Sequence, residues 1–145
     1  MPPVKDVHWR EVRARIRTVL RWLLTLFMVA AGANHFVGPA AYVAMMPSAL
    51  PAPAALVYVS GVAEILGGLG LILPAPRRLA GWGLIVLFVA IFPANINMAV
   101  HHLPLGDRAI PSWALWARLP LQAVLVIWAY WCSQPAQPNA PPHIR

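Results

Sequence analysis

The sequence predicts an all-α integral membrane protein, an antiparallel four-helix bundle with an N-terminal amphipathic basic segment. Three observations support this prediction. Of the 145 residues, 60% are hydrophobic and 10% are charged, which leaves too few charges to cover a soluble globule. Four apolar stretches reach the roughly 20 residues that a transmembrane helix needs. Short segments with Pro and Gly separate them, so consecutive helices are expected to be antiparallel neighbours.

Composition divides the chain into three parts. Residues 1–17 form a basic cytoplasmic or interfacial segment, 18–132 the four-helix domain, and 133–145 a Pro-rich tail that is expected to be disordered. Arginines alternate with apolar residues such as Trp9 in the first part, which suits a helix lying along a membrane surface. The predicted transmembrane helices are Thr18 to Phe36, Ala54 to Leu73, Leu79 to Val100 and Trp113 to Cys132.

The net charge of +7 follows the positive-inside pattern and does not form a nucleic-acid-binding patch. Basic residues precede or begin the first helix, and Arg77 and Arg78 lie between the second and third helices. The segments 37–53 and 101–112 carry almost no excess charge. Both termini are therefore assigned to the cytoplasm. The expected partner of the basic residues is an anionic lipid bilayer, not nucleic acid.

The segment after the first helix is predicted to be a lid. Its prolines predict an irregular backbone over 37–53 rather than a helix. The segment is nevertheless apolar and contains Tyr42, Met45 and Met46. We therefore expect it to fold back over the non-cytoplasmic end of the bundle.

The second helix carries Glu64 in the middle of an otherwise apolar stretch. At helical spacing a small and polar stripe lies on one face, and large apolar residues cover the rest. In lipid such a stripe packs against neighbouring helices, because small residues allow close backbone approach and an ionisable group avoids hydrocarbon. The stripe consists of Ser60, Gly61, Glu64, Gly67, Gly68 and Leu71.

The third helix contains Pro93, which removes one helix hydrogen bond. This proline should kink the helix and free a carbonyl near Val89. Asn95 and Asn97 follow it and lie about 200° apart around the helix. One of these amides is expected to bond across helices and the other to lie near the interface.

The fourth helix completes a polar cluster in the non-cytoplasmic half. Arg118 and Gln122 share one of its faces. Glu64 lies roughly 15 Å and Arg118 roughly 8 Å from the starts of their helices. Either side chain can reach toward the other, so an ion pair between them is predicted. The candidate ligand-binding residues are His35, Ser60, Glu64, Asn95, Arg118 and Gln122.

A series of short motifs occurs along the four helices. They are His35-Phe36, Pro39, Met46-Pro47, Tyr58-Val59-Ser60-Gly61, Glu64-Ile65-Leu66-Gly67-Gly68, Arg77-Arg78, Phe92-Pro93-Ala94-Asn95 and Arg118-Leu119-Pro120-Leu121-Gln122. Together they resemble the DoxX family of small bacterial membrane proteins over roughly residues 20 to 131. The resemblance implies a four-helix protein of the bacterial inner membrane. It also implies a link to membrane redox subunits, because the family is named after subunits of quinone-dependent sulfur oxidation and is associated with oxidative-stress complexes.

The first functional interpretation is a redox-associated accessory subunit that is not an enzyme on its own. The polar cluster would bind the headgroup of a quinone or a similar small amphipathic molecule. His35 or Glu64 would exchange a proton with it, and Arg118 or Asn95 would bond to its carbonyl oxygen. No cofactor is encoded in the chain, so quinone is the one cofactor that this interpretation names.

Two other interpretations stay open. The protein could be a non-enzymatic assembly factor that binds other membrane proteins or a second copy of itself, with a purely structural polar core. It could instead be a metal or haem protein that uses His35, His101 and His102. The positions of these histidines at helix ends, rather than in mid-helix pairs, disfavour the metal interpretation.

Overall fold

The computed structural model describes residues 4–104 and 109–134, and these residues contain helices and no strand. The four long helices are long and apolar enough to cross a membrane, judged by length and composition. The three later ones begin and end within two residues of the predicted positions. The helices are α1 (Val4–Val37), α2 (Pro39–Met45), α3 (Pro53–Ile72), α4 (Arg77–Val100) and α5 (Ser112–Ser133).

The N-terminal basic segment is continuous with the first long helix. α1 has 34 residues. No Gly or Pro occurs in it before Gly32, and Arg, Leu and Ala are strong helix formers. The predicted division between 1–17 and 18–132 therefore falls inside one helix. Of the predicted tail, Ser133 ends α5, and 135–145 lie outside the described residues.

The segment after α1 contains a short helix, so the predicted irregular backbone is wrong there. α2 begins at Pro39, with Gly38 at the N-cap. Proline is tolerated at the first helical position, because the N–H that it lacks would have no intrahelical partner there. The helix ends at Met45, and the N–H of Met46 donates to the Val43 carbonyl. α2 packs against α1, α3 and α4.

The predicted stripe of α3 is buried along its whole length. Its glycines allow close backbone approach to α1. The Thr25 hydroxyl donates to the Gly68 carbonyl at 2.9 Å. A Cβ atom added to Gly32 would stand 2.5 Å from the Gly61 carbonyl oxygen. Residue numbers therefore rise along α1 as they fall along the facing side of α3.

Two apolar clusters fill the interior. The larger one joins α1, α3, α4 and α5 and contains Leu24, Met28, Leu71, Leu84, Phe88, Ala129 and Cys132. The smaller one lies beside α2 and contains Met45, Met98, Ala99 and Leu115. Between these clusters lies the polar region where the candidate site is found.

Candidate functional site

The centre of the site is a buried pair, His35 of α1 and Glu64 of α3. The two side chains come from the helices that the glycines hold close together. His35 is 7% exposed and Glu64 is 5% exposed. The distance from Nε2 of His35 to Oε2 of Glu64 is 3.6 Å, which suits an ion pair but exceeds a hydrogen bond.

The other ring nitrogen of His35 determines how the ring is protonated. Nδ1 lies 2.9 Å from the Val57 carbonyl oxygen and 3.1 Å from the Ser60 hydroxyl oxygen. A carbonyl oxygen can only accept, so Nδ1 carries the proton of this hydrogen bond. The Ser60 hydroxyl donates to the same carbonyl at 2.9 Å. Nε2 is therefore the nitrogen that faces Glu64.

In this arrangement one proton can reside on either member of the pair, and in this sense the two side chains share it, although at 3.6 Å no hydrogen bond joins them. A neutral His35 with its proton on Nδ1 presents a lone pair from Nε2 toward the carboxyl group. Oε2 of Glu64 is buried and has no hydrogen-bond partner among the described residues. A proton on either atom removes the repulsion between the two lone pairs. A proton on Oε2 gives a neutral acid beside a neutral base, and a proton on Nε2 gives an ion pair. The pair can thus give a proton to a third group or take one from it.

Tyr42 of α2 covers the pair. Its ring stacks on the His35 ring with centroids 3.9 Å apart. Its hydroxyl accepts a hydrogen bond of 2.7 Å from Nδ2 of Asn34. The backbone of α2 is tied to α4, because Nδ2 of Asn97 donates to the Met45 carbonyl at 3.0 Å. The three residues predicted as a lid, Tyr42, Met45 and Met46, all line the cavity below α2.

That cavity has a volume of about 210 Å³ and is lined by residues from all five helices. It is smaller than the roughly 300–1,000 Å³ of pockets that hold drug-sized ligands. It therefore fits one ring or one small headgroup. All six candidate ligand-binding residues line it, namely His35, Ser60, Glu64, Asn95, Arg118 and Gln122.

The wall opposite the acid–base pair is a hydrogen-bonded link between α4 and α5. Nδ2 of Asn95 donates to Oε1 of Gln122 at 2.8 Å. The Gln122 amide donates in turn to the Phe88 carbonyl. This acceptor lies one residue before Val89, where Pro93 was predicted to free a carbonyl. Asn95 and Asn97 both bond across helices, although only one of them was expected to.

The predicted ion pair between Glu64 and Arg118 is wrong. Nη1 of Arg118 donates to Sδ of Met98 at 3.0 Å, and the ionisable side chain within reach of Glu64 is His35. α5 packs against α4 and α1, whereas Glu64 lies where α3 meets α1. The two charged groups therefore line the same cavity from different walls.

The stretch that carries the site matches a known family. A family model described as a domain of unknown function, DUF8561, matches residues 24–133. The chain belongs to this family. No curated protein and no solved structure matches it. Every residue that lines the cavity lies within the stretch matched by the DUF8561 model.

The remaining histidine candidates of the DUF8561 domain are outside the cavity. His101 and His102 are exposed. Nδ1 of His101 lies 3.0 Å from the Asn97 carbonyl, and Nδ1 of His102 lies 3.4 Å from the Ser112 hydroxyl. Within the described part of the chain, no three His, Cys, Asp or Glu residues are placed to hold a metal ion.

Two residues of the site were not anticipated from the sequence. Gly32 was not paired with Gly61, although it lies one turn before His35 and could have been recognised as a close-approach position. Met98 is not among the residues that the sequence singles out, whereas its sulfur accepts a hydrogen bond from Arg118. No sequence signal identifies a thioether as the partner of an arginine.

Proposed function

We propose that this protein crosses the membrane and binds the polar head of a small lipid-phase molecule, of which a quinone is the best-fitting class. The observation that carries the proposal is the buried Oε2 of Glu64. In the part of the chain that the structure describes it has no hydrogen-bond partner, and Glu64 lines a mostly apolar cavity beside Nε2 of His35. A structural core leaves few such atoms unsatisfied. A ligand that exchanges a proton would satisfy it.

The outer surface supports the membrane placement. Large apolar side chains are exposed along all four long helices, including Leu26, Val59, Val86 and Val124. Water would not tolerate so much contiguous apolar surface, whereas lipid does. The opposed numbering of the α1 and α3 contacts supports an antiparallel bundle. The distribution of arginines supports cytoplasmic termini, and the resemblance to the DoxX family supports a bacterial inner membrane.

A quinone head fits the chemistry of the walls. Its carbonyl oxygens accept hydrogen bonds, and Arg118 and the proton shared by His35 and Glu64 are donors on different walls of the cavity. Reduction to a quinol takes up two electrons and two protons. The chain would supply the position and one proton, the second proton would come from the aqueous phase, and other membrane redox subunits would supply the two electrons. The protein is thus proposed as an accessory subunit and not as an enzyme on its own.

The route for such a ligand is a lateral one. Phe27 of α1 and Leu121 of α5 both line the cavity, and they are 48% and 52% exposed. Both side chains therefore reach from the cavity to the surface that would face lipid. A headgroup could therefore enter while its hydrocarbon tail stays in the bilayer.

Quinone binding to the purified, detergent-solubilised protein tests the proposal. A short-chain quinone analogue should bind the wild-type protein and lose about tenfold or more in affinity in His35→Ala and Glu64→Gln, by the loss of one charge-assisted hydrogen bond. His101→Ala and Glu11→Gln are matched controls with exposed side chains and should bind normally. Equal binding by all folded variants would refute the proposal.

Topology is tested separately. In a Cys132→Ser background, Ala52→Cys and Ala109→Cys should be labelled from the non-cytoplasmic side of intact cells by a membrane-impermeant maleimide. Ala75→Cys should be labelled only after the cells are opened. Labelling of position 75 in intact cells would overturn the assignment of the termini to the cytoplasm.

A non-enzymatic assembly factor is the second candidate function. The observation in its favour is the link of Asn95, Gln122 and the Phe88 carbonyl, whose hydrogen bonds are satisfied without a ligand. Such a link stabilises a bundle in lipid, where association lacks the hydrophobic effect. Co-purification of a membrane partner that survives the His35→Ala and Glu64→Gln substitutions, without any quinone binding, would favour this function.

A further inference from the structure

The end of the molecule away from α2 holds two guanidinium groups without a carboxylate. Arg21 of α1 is 9% exposed, and its Nε donates to the Cys132 carbonyl at 3.2 Å. Arg77 begins α4, and its Nε donates to the Leu71 carbonyl at 3.0 Å. Within the described residues, neither arginine forms an ion pair with an acidic side chain.

The surrounding helices hold these arginines in place. The Trp128 indole donates to the Leu20 carbonyl at 3.2 Å and fixes α5 against α1 one residue before Arg21. One turn earlier on α1, the Arg17 guanidinium lies 5.2 Å from the ring centre of Trp131. Gly81, one turn after Arg77 on α4, packs against Ser133 of α5, the residue next to the Cys132 carbonyl that Arg21 bonds to. This basic cluster, Arg17, Arg21 and Arg77, therefore joins α1, α4 and α5.

Capping of helix ends accounts for only part of this charge. Arg21 and Arg77 bond to carbonyls in the last turns of α5 and α3, and each helix C-terminus carries roughly half a negative charge. The guanidinium charges of Arg21 and Arg77 against two such ends leave a surplus of roughly one positive charge, to which Arg17 and the N-terminus of α4 add. The nearest described carboxylate along α1 is Glu11, about 15 Å away by helical rise.

A charge at membrane depth pairs with another group or lines a polar cavity. We infer that the basic cluster binds the phosphodiester of an anionic phospholipid. One phosphodiester carries one negative charge, which matches the surplus, and its two free oxygens match the N–H groups that Arg21 and Arg77 do not use on carbonyls. The inference rests on the proposed membrane placement, but not on the proposed ligand of the cavity.

The test is native mass spectrometry of the full-length protein released from detergent. The protein is offered equal amounts of phosphatidylglycerol and phosphatidylcholine, which share the phosphate but differ in net charge. Wild type should retain the anionic lipid about fivefold more than the zwitterionic one, given about 1 kcal/mol for the one surplus charge that Arg21 and Arg77 leave near a lipid surface. The preference should fall close to equality in Arg21→Gln and Arg77→Gln.

Two variants keep the result interpretable. Arg78→Gln removes the same charge from the exposed neighbour of Arg77 and should keep the preference. Arg21→Lys should also keep it, since it restores the charge. The inference is overturned if all variants retain the lipids equally, or if inorganic phosphate displaces phosphatidylglycerol at equal concentration, since the ligand would then be a soluble anion.

A final readout separates this inference from the proposed function. Quinone-analogue binding should be unchanged in Arg21→Gln, because Arg21 does not line the cavity. Loss of the lipid preference with intact quinone binding supports the basic cluster as a separate site. Loss of both in Arg21→Gln and also in Arg21→Lys would assign Arg21 a structural role and overturn the inference.

Discussion

The two ends of the molecule use charged groups in opposite ways. In the cavity, a histidine and a glutamate face each other, and the hydrogen-bonding capacity of the carboxylate is not filled. In the basic cluster, Arg21 and Arg77 each fill part of their donor capacity on carbonyls at helix ends. One end therefore presents a proton that can move, and the other presents a fixed positive charge.

The comparison shows that the partners of a buried polar group, and not its burial, indicate whether the group has a function. Burial alone does not separate the two ends, since Glu64 is 5% and Arg21 is 9% exposed. The partners separate them, because backbone carbonyls are part of every helix end, whereas a facing acid and base are not. The effects of substitutions on the free energy of unfolding should therefore differ between the two ends, both in magnitude and in physical cause.

The largest loss of stability is expected at the contact between Gly32 and Gly61, which brings Glu64 close to His35. Gly32→Ala places a methyl group 2.5 Å from the Gly61 carbonyl oxygen and should cost about 2–3 kcal/mol in the free energy of unfolding. Gly83→Ala is the matched control, because an added Cβ atom there meets nothing within 4 Å. Denaturation in mixed micelles measures both. If Gly32→Ala is as stable as the control, α1 and α3 do not approach closely.

A double-mutant cycle in the cavity should reveal the next largest effect. His35→Ala and Glu64→Gln should be coupled by about 2 kcal/mol in unfolding free energy, since the side chains share a proton. Glu64→Gln and Arg118→Gln should instead be additive to within about 0.5 kcal/mol, because they do not touch. Coupling between Glu64 and Arg118, without coupling between His35 and Glu64, would instead support the ion pair that the sequence predicted.

The link between α4 and α5 should contribute less. Gln122→Leu leaves the Phe88 carbonyl and the Asn95 amide without their partner and should lower the free energy of unfolding by about 1–2 kcal/mol. Gln134→Leu is the control, since this glutamine makes one long, exposed hydrogen bond to the Tyr130 carbonyl. Equal stability of the two variants would mean that the wall opposite the acid–base pair is not structural.

The smallest effect is expected at the basic cluster. Arg77→Ala removes the donor to the carbonyls that end α3 and should lower stability by about 1 kcal/mol. Arg78→Ala, next to it and exposed, should cause no measurable change. A larger loss for Arg77→Ala than for Gln122→Leu would reverse the ranking of the two ends.

Helix positions and buried faces were predictable from the sequence, because both depend on patterns along one helix. Four apolar stretches of sufficient length gave the long helices, and the spacing of small and polar residues around Glu64 gave the buried face of α3. The polar residues that line the cavity were also predictable. Their polar side chains all lie toward the same end of the four helices.

The side chain that pairs with Glu64 was not predictable, because it depends on which helices are neighbours. Glu64 was matched to Arg118 on depth alone, but α3 presents it to α1, where His35 lies. α2 was missed for a local reason. A proline that forbids a helix in its interior is acceptable at its first position, and Pro39 occupies that position.

The unbroken length of α1 has a mechanical consequence. Its 34 residues extend about 51 Å at 1.5 Å per residue, against about 30 Å for the hydrocarbon of a bilayer. A helix without a flexible joint transmits force along its axis. His35 lies at one end of this rod, and the basic N-terminal turns project from the other. A tilt imposed on those turns would therefore change the distance between the imidazole and its carboxylate.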